Sequence, residues 1–269
     1  MCEGTAGVAL DFAKVAGAAR TAGASLLPVS LEEVRFGVGE KELLHGISLT
    51  ISAGSRTVIM GPNGAGKSLL LRLLQGLIEP TGGQILWRQD WGKRKDPREG
   101  RSSGTPPVSI VLQRPVLLRR SVAANLTHAL RVMNIPRAER SARLDELLTL
   151  GNLQQRRNQP ARSLSGGEQQ RLATVRALAG KPDMLLLDEP TASLDPQATQ
   201  DIEALIQRSH ANGTKIVLVT HDLGQARRIA DDVVLMANGR IAETGPADTF
   251  FKNPQSTEAR AYLSGHLVI

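Results

Sequence analysis

The segment Gly61-Pro62-Asn63-Gly64-Ala65-Gly66-Lys67-Ser68 constrains this chain more than any other, because it dictates a local conformation and the elements on either side of it. It fits G-x-x-x-x-G-K-[ST] at every fixed position, between the strand-like Thr57-Val58-Ile59-Met60 and a leucine-rich helical run from Leu69 to Leu74. Strand, glycine loop and helix in that order is the context such a loop needs. Glycines let the backbone bend until successive N–H groups point inward, and the opening helix adds the positive end of its dipole. The loop is expected to cradle a polyphosphate, with Lys67 reaching the outer phosphates and the Ser68 hydroxyl placed to ligate Mg²⁺. An incidental Gly-rich turn would account for the glycines but not for the motifs that follow downstream in order.

With 269 residues, 41% of them hydrophobic, the chain can bury a sizeable core in one large domain, alone or with a subdomain. Its one cysteine, Cys2, cannot form an internal bridge, in keeping with a reducing compartment. No window approaches the roughly 20 consecutive apolar residues of a membrane span, so a soluble chain is expected and any membrane role belongs to a partner. Met1 to Pro28 is rich in Ala and Gly but interrupted by Glu3 and Asp11, which reads as a loose tail rather than a signal peptide. The net charge of +7 could serve nucleic acid or anionic lipid, or reflect an Arg-rich composition alone. Lys93, Arg94, Lys95, Arg98 and Arg101 share their stretch with Asp90, Asp96 and Glu99, among Gly100, Gly104, Pro106 and Pro107, as in a solvated loop. Only 3% of residues are aromatic, which leaves few rings to stack on bases, and no nucleic-acid partner is expected.

Leu31 to Phe36 and Ile47 to Ile51 alternate like antiparallel strands about a turn-rich Gly37 to Glu42, and predict a small sheet beside the phosphate loop. Further strands are expected at Gln84 to Trp87 and Val108 to Leu112. From Ser121 to about Gln159 the pattern turns helical, with Val122, Leu126, Leu130 and Met133 on one face and a second amphipathic run from Arg137 to Leu150. This predicts an inserted helical subdomain, about residues 115–180. Helices from Gly166 to Leu178 and from Pro196 to His210 alternate with the continuous apolar runs Met184 to Leu187 and Ile216 to Val219, which predicts an α/β core with a mostly parallel sheet. Asn238-Gly239 marks a hairpin between Val233-Val234-Leu235-Met236 and Arg240-Ile241-Ala242.

Leu185-Leu186-Leu187-Asp188-Glu189-Pro190 reads as a buried strand ending in two carboxylates at the sheet edge where ligands bind in such folds. Asp188 could hold Mg²⁺ with Ser68, and Glu189 could orient and deprotonate an attacking water. Alone, such a pair more often begins a loop or caps a helix; the phosphate loop reverses that in favour of the catalytic reading. In Leu164-Ser165-Gly166-Gly167-Glu168-Gln169-Gln170-Arg171, Ser165 can cap a helix whose Gly166 and Gly167 allow close approach of backbone donors, a second anion site without a lysine. A plain capping box would explain Ser165 and Glu168, though not the whole string.

This string, with the phosphate loop before it and Asp188-Glu189-Pro190 after it, resembles the nucleotide-binding subunit of an ATP-binding cassette (ABC) transporter over roughly Leu31 to Gly245. The resemblance implies a P-loop NTPase core, ATP and Mg²⁺ as ligands, and an ATPase domain over 29–250 between a flexible tail at 1–28 and a helical tail at 251–269. It implies that Gln113 contacts Mg²⁺ and the attacking water, that His221 contacts the terminal phosphate, and that Ser193-Leu194-Asp195 crosses a dimer interface. His45, His128, His210 and His266 carry no such match. The expected assembly is a head-to-tail homodimer in which Lys67 and Asp188 of one copy and Ser165 and Gly167 of the other enclose each ATP. It would sit peripherally on the cytoplasmic face of the inner membrane, docked on permease subunits near Gln113 and Arg114 to Arg120, and would be served indirectly by a periplasmic or extracellular substrate-binding protein.

One position departs from the family: Val38 stands where an aromatic ring usually stacks on adenine. Phe36 is the nearest ring, but its phase predicts a core-facing side chain. The single-domain length and the tail, His221 to Arg228 and Phe250 to Gly265, are similar to importers of oxyanions of the tungstate and phosphate types, with polar amino acids as the alternative cargo. A soluble ABC ATPase of DNA repair or translation would bring a long coiled coil or a second cassette, and neither is present in this sequence. A kinase or small-molecule phosphotransferase would leave Ser165 to Arg171 without a purpose.

Overall fold

The computed structural model describes residues 27–87 and 108–265. The tail before Leu27 with Cys2, the basic loop at 88–107 and His266 lie outside the described residues. Leu27, assigned above to the loose tail, is buried in the core.

Two sheets organise the chain. The strands β1 (Val29–Val38), β2 (Lys41–Ile51) and β4 (Gly82–Trp87) form an antiparallel sheet in the order β2-β1-β4. The second sheet joins β3 (Arg56–Met60), β5 (Val108–Val111), β6 (Met184–Asp188), β7 (Lys215–Val219), β8 (Asp232–Ala237) and β9 (Arg240–Pro246) in the order β5-β6-β7-β3-β8-β9. All of its pairings are parallel except the β8–β9 hairpin. The sheets meet where the His45 N–H donates to the Gly239 carbonyl at 2.9 Å.

The continuous apolar strands follow from burial on both faces. Successive side chains on a strand point to opposite faces. Accordingly Val58 and Met60, Leu185 and Leu187, Ile216 and Leu218, and Val233 and Leu235 enter one core, while Ile59, Leu186, Val217 and Val234 enter the other. The second core is closed by the small sheet and by α1 (Lys67–Leu74). The first takes the apolar faces of α2 (Val122–Val132), α3 (Arg140–Leu150), α4 (Gly166–Ala177), α5 (Pro196–Ala211) and α6 (Leu223–Ile229), with Phe250 of α7 (Ala247–Lys252) and Ala259 of α8 (Thr257–Leu263). Each fully buried Leu or Val contributes about 1.5–3 kcal/mol relative to its exposed state.

The helical segment departs from expectation at its ends. Val122, Leu126 and Leu130 are buried as predicted, but Met133 is exposed, because α2 stops at Val132 and Met133 is its C-cap. The run predicted from Arg137 begins as a helix only at Arg140. The loop entering α2 is held from inside: the buried Asn125 amide accepts from the Leu118 N–H at 2.9 Å and donates to the carbonyls of Leu118, Arg120 and Ser121.

Candidate functional site

The phosphate loop joins the end of β3 to the start of α1, at the carboxyl edge of the parallel strands. Gly66 stands at the N-cap of α1 with φ 96°, and no side chain caps the helix. The first N–H groups of α1 therefore have no partner within the helix. Gly61 has φ 140°, and a Cβ there would lie 2.0 Å from the Met236 carbonyl oxygen, so a side chain is excluded on two grounds. Its N–H faces the phenol of Tyr262 in α8; burial raises the phenol pKa, and this N–H draws it part of the way back down. The Lys67 ammonium is folded back over the loop, donating to the carbonyls of Gly61 at 2.7 Å and Pro62 at 2.8 Å. Burial pushes its pKa down, against the pull of Glu189 and Asp188.

The end of β6 brings two carboxylates to this edge. The Ser68 hydroxyl donates to Asp188 Oδ1 at 3.1 Å, and burial is the main cause that raises the Asp188 pKa. An anion destabilised by burial beside a hydroxyl is a hard oxygen pair suited to Mg²⁺, which binds through one or two protein oxygens plus substrate phosphates. Among the described residues no group of three or more His, Cys, Asp or Glu could hold a metal ion. Glu189 adopts φ 46°, a left-handed conformation that a non-glycine residue adopts at a cost. Its carboxylate accepts from Gln113 Nε2 at 3.3 Å and lies 3.3 Å from His221 Nδ1. Three strands thus converge: β5 delivers Gln113, β6 delivers Asp188 and Glu189, and β7 delivers His221. A carboxylate so held can accept a proton from water, and the imidazole and amide beside it can orient one.

Ser165 opens α4, and among the described residues its hydrogen bonds run to Glu168 rather than to the phosphate loop, Asp188 or Glu189. Its hydroxyl accepts from the Glu168 N–H, and Glu168 accepts from the Ser165 N–H at 2.9 Å, a complete capping box. That hydrogen bond, aided by Arg156 at 3.0 Å, holds the Glu168 carboxyl below its ordinary range. A Cβ on Gly167 would lie 2.6 Å from the Ala198 Cβ, so this glycine also permits close packing of α4 on α5. Asp195 caps α5, accepting from the Ala198 N–H at 2.8 Å. Val38 is 65% exposed, and Phe36 packs partly into the core, as its phase predicted.

Sequence reading missed three supports of this site. Tyr262 of α8 meets the first peptide of the phosphate loop, far away in the sequence, and nothing local signals it. Asn125 sits at an apolar phase of α2, which was the available clue. The buried contacts of Gln225 with Thr191 and Glu203, near Glu189 and His221, were also missed.

A phosphate loop on a parallel sheet, with a Ser–Asp pair and a held glutamate at its carboxyl edge, defines a phosphate-loop nucleotide hydrolase. The family described as ABC transporter matches residues 44–192, and the chain belongs to it. The chain is similar to the phosphate import ATP-binding protein PstB 2 of Natronomonas pharaonis, with 36% identity over 87% of this chain and 86% of that one. It is also similar to the methionine import ATP-binding protein MetN of Xanthomonas axonopodis pv. citri, with 39% identity over 82% of this chain and 66% of that one. Among solved structures, cbiO1 of Clostridium perfringens, part of the ABC transporter complex cbiONQ, matches with a TM-score of 0.72. It shares 29% identity over 84% of this chain and 91% of that one. The chain is an ABC importer ATPase subunit. The matched residues include the phosphate loop, Gln113, Ser165 to Arg171, Asp188 and Glu189, and stop short of Asp195 and His221.

Proposed function

We propose that this subunit hydrolyses ATP to energise import of a small oxyanion of the phosphate or tungstate type. Main-chain N–H groups from Asn63 to Ser68 bind the phosphates, and Lys67 leaves the carbonyls of Gly61 and Pro62 to pair with the outer ones. Ser68, Asp188 and Gln113 are the residues that would hold Mg²⁺, which supplies charge neutralisation of the phosphates when bound. Glu189 takes the proton of the attacking water, Gln113 orients that water, and His221 turns from Glu189 to the terminal phosphate. The observation that carries this reading is the Glu189 carboxylate, held by Gln113 and His221 beside the Ser68–Asp188 pair.

Within one chain Ser165 bonds to Glu168 and not to this edge; a second copy, arranged head to tail, supplies Ser165 and Gly167 to each ATP, with Asp195 at the shared face. Among the described residues no helix is long and apolar enough to cross a membrane. The subunit docks peripherally, at the cytoplasmic face, on permease subunits near Arg114 to Arg120, where Val116 is 72% exposed. A separate substrate-binding protein delivers the cargo.

Support for an oxyanion comes from the phosphate relative, whose match spans most of both chains. The methionine relatives, at 37–39% identity, favour an amino acid as the second reading. Proteoliposomes holding this subunit with the permease and binding protein of its own operon decide the matter. Phosphate or tungstate is expected to accelerate ATP hydrolysis and to accumulate inside. Stimulation by methionine instead would overturn the cargo, and no ATP hydrolysis under any cargo would overturn the function.

A further inference from the structure

Two chain segments carry the reacting groups at the sheet edge, one running through Glu189 and the other through His221, and they touch again below that contact. The upper contact is the Glu189–His221 pair, whose imidazole is 60% exposed. Two residues beyond Glu189, the Thr191 hydroxyl meets the Gln225 amide, with Nε2 at 2.9 Å and Oε1 at 3.2 Å. Gln225 is fully buried in the first turn of α6, four residues beyond His221. Its Nε2 also lies 3.3 Å from Glu203 Oε1 in α5, and Glu203, 6% exposed, is held by Arg228 at 2.7 and 3.0 Å. Glu203 is a buried carboxylate with its charge paired and its oxygens hydrogen-bonded, the condition under which such a group is tolerated. Gln225 and Glu203 both flank the apolar stripes of their helices, beside Ala226 and Ile202.

The upper contact cannot fix the distance between carboxylate and imidazole during the reaction, because both groups must then face water and phosphate. The buried contacts need not break. We propose that Gln225, anchored by Glu203 and bonded to Thr191, is a positioning residue that sets the separation of Glu189 and His221 during ATP hydrolysis. This rests on the hydrolytic reading given above. The phosphate loop shares none of these contacts, so the ladder acts on the chemical step and not on nucleotide affinity. Misplacing reacting groups by a fraction of an ångström is expected to cost about tenfold in turnover.

The test uses the full chain with Gln225→Met and Thr191→Val, which keep volume and remove the hydrogen bonds, singly and together. Each is expected to lower kcat about tenfold and leave KM for ATP within about twofold. The double variant should be no worse than the poorer single one, since both cut the same bond. Ile206→Val in the core of α5 serves as the control: it lowers the melting temperature without changing kcat. Gln225→Met with a lowered melting temperature but unchanged kcat would overturn the proposal. Amide hydrogen exchange on the ligand-free chain decides independently of turnover. Gln225→Met is expected to raise exchange in residues 187–193 as well as 221–226, and a rise confined to 221–226 would overturn the coupling. Failure to hydrolyse ATP by the parent chain would count against the hydrolytic reading and leave the exchange result to judge the ladder.

Discussion

α1 begins behind Gly66, in a left-handed conformation and without a side-chain cap, whereas α4 begins behind Ser165, whose capping box with Glu168 is complete. Both first turns present backbone N–H groups and a dipole suited to an anion. At α1 the orphan donors are left to a ligand, and Lys67 bonds to loop carbonyls that a polyphosphate would replace. At α4 the cap satisfies the N–H of Glu168, and the donors with no partner in the helix are those of Gly166 and Gly167. The first helix is unfinished without phosphate and can bind it alone. The second is capped by itself, and on the function proposed above it meets an anion only when another copy brings one, which would make binding and pairing separable properties of one chain.

The strongest test of that separation lies at neither helix. Glu189→Gln keeps the shape of the side chain and removes the base, so turnover should fall by about 10²–10⁴-fold while ATP affinity is retained and the paired state persists. Steady-state hydrolysis and equilibrium nucleotide titration measure the two sides; undiminished turnover would remove Glu189 from the role of base. Lys67→Ala comes next. Loss of the charge-assisted contact, worth about 3 kcal/mol, should weaken ATP binding about 100-fold, and normal affinity would contradict the cradle.

The parts of the site visible in the sequence are those in which neighbouring residues act together. The phosphate loop, the Ser165–Glu168 cap and the Asp188-Glu189 pair each depend on local spacing, and the continuous apolar runs of β3, β6, β7 and β8 reported the two-faced sheet. What stayed hidden depends on distant partners. Lys215 reads as a charged residue opening an apolar strand, yet it is 2% exposed and donates to Ser55 at 2.7 Å and Thr57 at 2.8 Å. Burial pushes its pKa down to about 8. Those hydroxyls precede it by 160 and 158 positions, so no window of sequence could pair them. Tyr262 on Gly61 and Gln225 on Thr191 are of the same kind. Met133 failed for the opposite reason, since its phase was right and the helix simply ended before it.

Ser165→Ala probes the second helix. Removing an N-cap hydroxyl costs about 1 kcal/mol, and thermal or denaturant unfolding should register it. Nucleotide affinity of the single chain should not change, because α1 does the binding. ATP-promoted pairing, followed by sedimentation in the Glu189→Gln background, should weaken. Equal loss of single-chain affinity would mean that the two first turns are not independent.

The smallest effect concerns the acid half of the same cap. The Glu168 carboxyl titrates below its ordinary range, mainly because it accepts from the Ser165 N–H and also because Arg156 is beside it. An acid with a depressed folded pKa contributes stability that is fully present above its unfolded value, about 4.3, and is lost as pH falls through the lower folded value. In Glu168→Gln the amide oxygen can still accept from the Ser165 N–H, so the cap geometry is kept while the charge and its titration are lost. The variant should lose about 0.5 kcal/mol near neutral pH, the range for a carboxylate in a helix first turn. Its stability should converge with that of the parent as the pH drops below 4. The α1 end, with no acid in its first turn, has no such titration to lose. A difference between parent and variant that stayed constant from pH 7 to pH 3 would mean that Glu168 acts at α4 through shape rather than charge.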